Sequence, residues 1–337
     1  MLYYAMPSRD IRVNLATEQY LLEKDFEEPL VLFYIQEPCI IIGRNQNAIE
    51  EIDQKFVRER GITVTRRLSG GGAVYDDLGN VSFSFVTKAG REDFGNFAEF
   101  TQPILKAIHE MGATGAEVSG RNDLLIEGKK FSGNAMYKKR GKLFSHGTLM
   151  LDVDLDVLPQ ALRVAKDKIE SKGTKSVRSH VTNLRPYLAA EYQGLSTEAF
   201  RDELLKRLFD VNDLRTIAAK ELHLSAEDDA AIAQLVTEIY GNEEWIYGEA
   251  PAYSIQRRRR YPAVGIIDAR IEVAKGHISN LVFYGDYFGQ KDSSELAEKL
   301  VGLPYQRQAL ATALKDIEAD LYFSHLDNET LLDLLAD

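Results

Sequence analysis

The chain has 337 residues, 45% of them hydrophobic and 28% charged, the composition of a soluble globular protein of roughly two domains. Its net charge of −11 excludes nucleic-acid binding by overall electrostatics, and no apolar run nears the roughly 20 residues of a membrane span. The first ten residues lack a signal-peptide layout, and a single cysteine, Cys39, excludes an internal disulfide or a Cys-based metal cluster; the expected location is the cytoplasm.

Residues 14–24 are predicted as a helix with Leu15, Leu21 and Leu22 on one side. Residues 30–35 and 39–42 are β-rich apolar runs parted by Gln36-Glu37-Pro38 and predict two strands. Residues 62–66 alternate as a strand leading into Arg66-Arg67-Leu68-Ser69-Gly70-Gly71-Gly72-Ala73-Val74-Tyr75. Residues 81–86 alternate again, with Val81, Phe83 and Phe85 on one face and Ser82 and Ser84 on the other. A helix over 94–111 stops at Gly112. Two hairpins are expected next: 123–126 turning at Glu127-Gly128, and 135–137 turning at Lys139-Arg140-Gly141 into 143–151. Helices follow at 197–209 and 226–240, the second with Ser225 and Asp228 at capping-box spacing and a stop at Gly241. A domain boundary is expected near 245–251. Beyond it come strands over 264–273 and 278–283, then helices from Ser293, Gln306 and Glu329. The four arginines of 257–260 are expected in an exposed loop.

The glycine segment carries the first chemical signal. Two guanidinium groups can grip an anion, and three glycines let backbone N–H groups approach a ligand closely. The other reading is a flexible turn between strands. No Gly-Lys-Ser/Thr ending makes it a Walker loop, and Tyr75 stands where a dinucleotide fingerprint needs glycine. Its strand–loop–strand setting argues against both. Further cations crowd residues 129–142 and 166–185 in this otherwise acidic chain. They mix with Gly, Ser and Thr at 119–123, 129–135, 145–149 and 167–184, a mixture suited to anions.

Taken in order, these pieces resemble the lipoate-protein ligases that carry a C-terminal accessory domain. The matching residues are Gly43-Arg44-Asn45-Gln46-Asn47, the segment 66–75, residues 120–123, Lys130 with Ser132-Gly133, residues 146–149, and Lys172-Gly173 through Leu184. Trp245-Ile246-Tyr247-Gly248, Pro251 and Gly285-Asp286-Tyr287-Phe288 extend the match into the tail. Each motif is weak alone; their order and spacing over nearly the whole chain are specific.

The resemblance implies an α/β (α+β) fold, a mixed, largely antiparallel sheet flanked by helices like the core of biotin ligases and class II aminoacyl-tRNA synthetases. A catalytic domain over 1–246 and a small α+β accessory domain over 247–337 are implied with it. The implied reaction activates lipoate with ATP to lipoyl-adenylate and pyrophosphate, then moves the lipoyl group to a lysine of an acceptor. Implied acceptors are apo lipoyl domains of 2-oxoacid dehydrogenase acyltransferase subunits or the glycine cleavage H protein, with no nucleic acid or membrane involved. Lys130 is the implied catalytic cation, touching both the lipoyl carbonyl and the adenylate phosphate. Arg67 and the backbone of Gly72, Ala73, Val74 and Tyr75 would bind ATP with it; Arg66, Ser69 and His146 would join Lys130 in binding lipoate. Lys172, Gly173, Ser176 and Arg178 would form a loop closing over the adenylate.

Asp123 is expected either to hold Mg²⁺ or partner Lys130, or to cap its hairpin. His146 is expected to position substrate or to be a core histidine. Leu15 and Glu18 are candidates for an acyl tunnel. Cysteine-using acyltransferases of the superfamily carry their cysteine after the lysine segment; this chain has none there, and Cys39 is expected to be inert core. The alternatives are an ATP-independent transferase between carriers and a non-catalytic lipoyl-domain binder. Biotin is disfavoured because no Gly-Arg-Gly-Arg-rich loop is found.

Overall fold

The computed structural model describes residues 1–88, 94–119, 122–162, 180–248, 255–274 and 276–336. Packing divides the chain into two compact units. The first comprises Met1–Ile42, Ile49–Arg67 and Val74–Ile246; the second comprises Gly43–Ala48, Leu68–Ala73 and Tyr247–Asp337. The two short segments, drawn from early in the chain, therefore pack with the C-terminal residues. No helix among the described residues is long and apolar enough to cross a membrane.

The first unit contains strands β1 (Leu2–Ala5), β2 (Leu30–Tyr34), β3 (Cys39–Ile42), β4 (Thr63–Arg66), β5 (Val74–Asp76), β6 (Asn80–Lys88), β7 (Ala116–Ser119), β8 (Asp123–Ile126), β9 (Lys129–Lys139) and β10 (Lys142–Met150). Seven of them form one sheet in the order β1-β2-β6-β10-β9-β8-β7, and β4-β3-β5 form a smaller one. In the large sheet β1 and β2 run parallel, and the other neighbours run antiparallel. This mixed, mainly antiparallel sheet flanked by helices is the fold class expected.

Alternation gives the large sheet two chemically different faces. Val31, Phe33, Phe83 and Phe85 share a buried core with the helices Phe97–Glu110 and Thr197–Leu208. Each such side chain contributes about 1.5–3 kcal/mol by leaving water. On the opposite face Leu32, Ser84, His146 and Ala135 form one cross-strand row. The helix Ile11–Glu23 packs against β6 and β10 and buries Asn14, Thr17, Glu18 and Gln19. It starts three residues earlier than expected because the Asp10 side chain accepts from the Arg12 N–H at 2.9 Å and caps it.

The return arm of the first expected hairpin and the outgoing arm of the second are one 11-residue strand, β9. Strand β7 was not anticipated. The capping box at Ser225 and Asp228 is present, but the helix it opens changes after Leu235 into a π-helical turn over Val236–Tyr240.

The second unit has strands β11 (Ile255–Tyr261), β12 (Gly265–Ala274) and β13 (His277–Gly285) in that order, with helices Ser293–Leu300, Arg307–Leu314 and Asn328–Ala336. Here the loop expected at 257–260 is corrected: the four arginines lie in edge strand β11, paired antiparallel with β12. Four identical residue types hide any two-residue alternation. A wholly buried carboxylate on the next strand, Asp268, draws Gln256 at 2.9 Å, Arg270 at 3.0 Å and Arg258 at 3.5 Å.

Gly147 in β10 lies opposite Phe83 and Asn134. A Cβ there would come within 2.1 Å of Asn134 Oδ1 and 2.7 Å of the Phe83 ring. Gly147→Ala is therefore expected to lose about 1–3 kcal/mol of stability by overpacking. Urea denaturation measures it; an unchanged midpoint would show that the neighbouring strands do not pack so tightly here.

Candidate active site

Lys130 owes its direction to a bulge. Along β8 and β9, Leu124 faces Ser132 while Leu125 faces Lys130, so Phe131 is one residue too many. Phe131 is wholly buried in the apolar core. The slip returns Lys130 to the face that carries Asp123 and His146. There Lys130 Nζ lies 2.8 Å from Asp123 Oδ1, both side chains about one-third exposed. Gly133, opposite Asp123, leaves room for the ammonium: a Cβ would sit 2.8 Å from Lys130 Nζ. The Lys130 carbonyl accepts from Thr182 N–H at 2.9 Å. Asn122 and Asn134 tie the start of β8 to β9 through bonds of 2.6 and 3.1 Å.

Deeper on the same side, Glu18 and His146 form a buried pair. His146 Nδ1 is 3.0 Å from both Glu18 oxygens, and its ring lies 4.8 Å from that of Phe144. Asn14, one turn before Glu18, is wholly buried. Its amide has no hydrogen-bond partner among the described residues, and neither has the Ser84 hydroxyl. Buried polar groups usually have partners, so these two side chains set this face apart from the apolar one. Asn14, Glu18 and Ser84 were not foreseen as a set. Alternation already put Ser84 opposite the apolar face, and polar residues among the helix leucines were the other available signal.

Arg67 is buried, and Nη1 donates to the Ile41 carbonyl at 3.1 Å. Burial pulls its guanidinium down to about 10, while Asp76, Tyr34 and Glu18 act to keep it charged. Burial pushes the Asp76 carboxyl up from an ordinary 3.8 to about 7, against a hydrogen bond from Gln36 and the Arg67 charge. That bond runs from Gln36 Nε2 at 2.8 Å. Arg66 points elsewhere: Nε donates to the Trp245 carbonyl at 2.9 Å and Nη2 to that of Ile246 at 2.6 Å. Val74 and Tyr75 lie in β5, with Tyr75 buried. Ser69, Gly72 and Ala73 belong to the second unit. Lys172, Gly173, Ser176 and Arg178 lie outside the described residues.

Cys39 is wholly buried in β3, and burial first, then Asp76, pushes its thiol well above the ordinary range. A thiol so held is a poor nucleophile. No group of three or more His, Cys, Asp or Glu side chains suited to a metal occurs among the described residues. Mg²⁺ takes one or two carboxylates and completes its shell with phosphate oxygens and water, and Asp123 is one carboxylate that could share it.

Residues 10–209 match the family model of the lipoyl protein ligase A/B catalytic domain, and 250–335 that of the bacterial lipoate protein ligase C-terminus. The chain is 46% identical to the lipoate-protein ligase LplJ of Bacillus subtilis over 97% of both chains. It is 39% identical to lipoate-protein ligase 1 of Staphylococcus aureus, again over 97% of both. Among solved structures it is similar to P. falciparum LipL1 in complex with lipoate, with a TM-score of 0.78, 21% identity and coverage of 99% of this chain and 98% of that one. A lipoate-protein ligase A bound with ATP matches with a TM-score of 0.56 and 22% identity, over 74% of this chain and 99% of that one.

The Asp76 titration makes a sign-definite prediction. Its folded carboxyl titrates near 7 and its unfolded one near 3.8, so folding favours the protonated acid. That contribution is full below the unfolded value and is lost as pH rises through 7. Asp76→Asn cannot ionise. Its melting temperature should therefore fall less than the wild type's between about pH 5 and about pH 8. Parallel melting-temperature profiles would show that Asp76 titrates normally.

Proposed function

The chain belongs to the lipoate-protein ligase family, and on that premise we propose a two-step reaction. In the first step a lipoate carboxylate oxygen attacks the α-phosphorus of ATP. A C–O–P linkage forms and pyrophosphate leaves. In the second step a lysine amine of an acceptor attacks the acyl carbon, AMP leaves, and the amine gives up a proton as the amide forms.

The observation that carries this reading is the Lys130 ammonium, fixed 2.8 Å from Asp123 on the polar face of the sheet. An anion attacking an anion needs cations already in place. A cation held by the fold spends no free energy on reorganising when charge grows in the transition state. Arg67, with the backbone of Gly72, Ala73, Val74 and Tyr75, holds the nucleotide. His146 and Ser69 bind lipoate with Lys130. Arg66 acts beside them by holding the Trp245 and Ile246 carbonyls. Mg²⁺ would arrive with ATP and screen phosphate charge, with Asp123 the carboxylate placed to share it. The acceptors are apo lipoyl domains of 2-oxoacid dehydrogenases or the glycine cleavage H protein, and the setting is the cytoplasm. The inert Cys39 supports adenylation over acyl transfer through a thiol.

Incubation with ATP, Mg²⁺, lipoate and an apo lipoyl domain should release pyrophosphate and modify the acceptor. Acceptor modification from an acylated carrier without ATP would overturn the scheme. Lys130→Ala should slow lipoyl-adenylate formation by about 10²–10³-fold with an unaltered circular dichroism spectrum. Near-normal adenylation would remove Lys130 from its role.

A further inference from the structure

Gly43-Arg44-Asn45-Gln46-Asn47 and Gly285-Asp286-Tyr287-Phe288 have no part in the scheme above. Both stretches pack in the second unit, and so does the middle of the glycine segment, Leu68–Ala73. They meet there. Arg44 N–H donates to the Ser69 carbonyl at 2.9 Å, and Gly285 N–H to the Asn45 carbonyl at 2.7 Å. The Tyr287 carbonyl accepts long bonds of 3.4 Å from Gly71 N–H and from Asn45 Nδ2.

Gly70 makes the closest approach. A Cβ on it would lie 2.3 Å from the Tyr287 carbonyl oxygen and 3.1 Å from the Phe288 ring. The first of these atoms is backbone and cannot rotate away. Tyr287 is itself held. Its ring is buried, and its hydroxyl lies 3.0 Å from the Phe283 carbonyl and 2.7 Å from Ser293 Oγ. Arg44 Nη2 is anchored 2.6 Å from Asp292.

Three consecutive glycines would otherwise sample many conformations, and fixing each of them costs conformational entropy. Contacts that fix them beforehand remove that cost from ligand binding. We propose that Tyr287 and Phe288, with the strap carrying Arg44, are positioning residues for the glycine loop. They fix the backbone of residues 69–71 and so set Gly72 and Ala73 for the nucleotide. The proposal rests on the assignment of that segment to ATP.

Steady-state kinetics of pyrophosphate release by the full chain test it through Gly70→Ala and Arg44→Ala. KM for ATP should rise about tenfold or more, since small misplacements of a binding group are costly. KM for lipoate should stay within about twofold. Gly61→Ala is the control for general damage. Gly61 has φ +63° with open space around it, so its variant should lower the melting temperature and leave KM for ATP alone. Should Gly70→Ala fail to fold, Arg44→Ala decides, because it leaves the glycine backbone intact. An unchanged KM for ATP in Arg44→Ala and any folded Gly70→Ala, or equal rises for both substrates, would overturn the proposal. Arg67→Ala separates the layers. If it leaves ATP use unchanged, the nucleotide assignment itself fails. If it weakens ATP use while Gly70→Ala and Arg44→Ala do not, only the positioning role fails.

Discussion

One extra residue, Phe131, decides which side of the sheet carries Lys130. Strict alternation backward from Ala135, on the His146 side, would turn Lys130 into the apolar core and Phe131 out onto the polar face. An unpaired ammonium in such a core costs several kcal/mol. The bulge exchanges the two outcomes: Phe131 is wholly buried among apolar side chains, and Lys130 reaches Asp123. The ordinary hydrophobic preference of a phenylalanine thus fixes the position of the Lys130 ammonium. Gly133 completes the arrangement, since any side chain there would compete with the ammonium for space.

The two faces of the sheet divide the work between them. The face packed on helices Phe97–Glu110 and Thr197–Leu208 is aromatic and aliphatic. The opposite face holds Glu18, His146, Arg67 and Asp76, all buried. Buried charges cost stability unless they are paired. The apolar face offsets that cost, so the polar face can keep charged groups in fixed places. Asp76 shows how closely balanced this is: the Arg67 charge and the Gln36 hydrogen bond do not overcome its desolvation.

Much of the architecture could be read from local patterns. The alternation at 81–86, the capping box at Ser225 and Asp228, and the strand leading into the glycines were legible because each is set by near neighbours. The features that went unread depend on distant partners. The bulge at Phe131 follows from pairing with β8, and the arginines of β11 are a strand through pairing with β12, whose buried Asp268 draws Arg258. The polar set joins Asn14 and Glu18, one turn apart on a helix, to Ser84 on β6, a meeting that only folding makes.

The segment 66–75 shows how the parts of a short motif separate in the fold. Side by side, Arg66 and Arg67 look like one anion grip. Neighbours along an extended chain point opposite ways, and here they do: Arg66 holds the carbonyls of Trp245 and Ile246, while Arg67 is buried within reach of the Asp76 and Glu18 charges. The glycines divide likewise. Gly70 lacks a side chain because the Tyr287 backbone passes too close for one, and Gly71 has φ +92°, where glycine alone is comfortable. A ligand need not touch either residue for both to be required. The glycines of such a loop therefore report the surface the loop rests on as much as the molecule it binds.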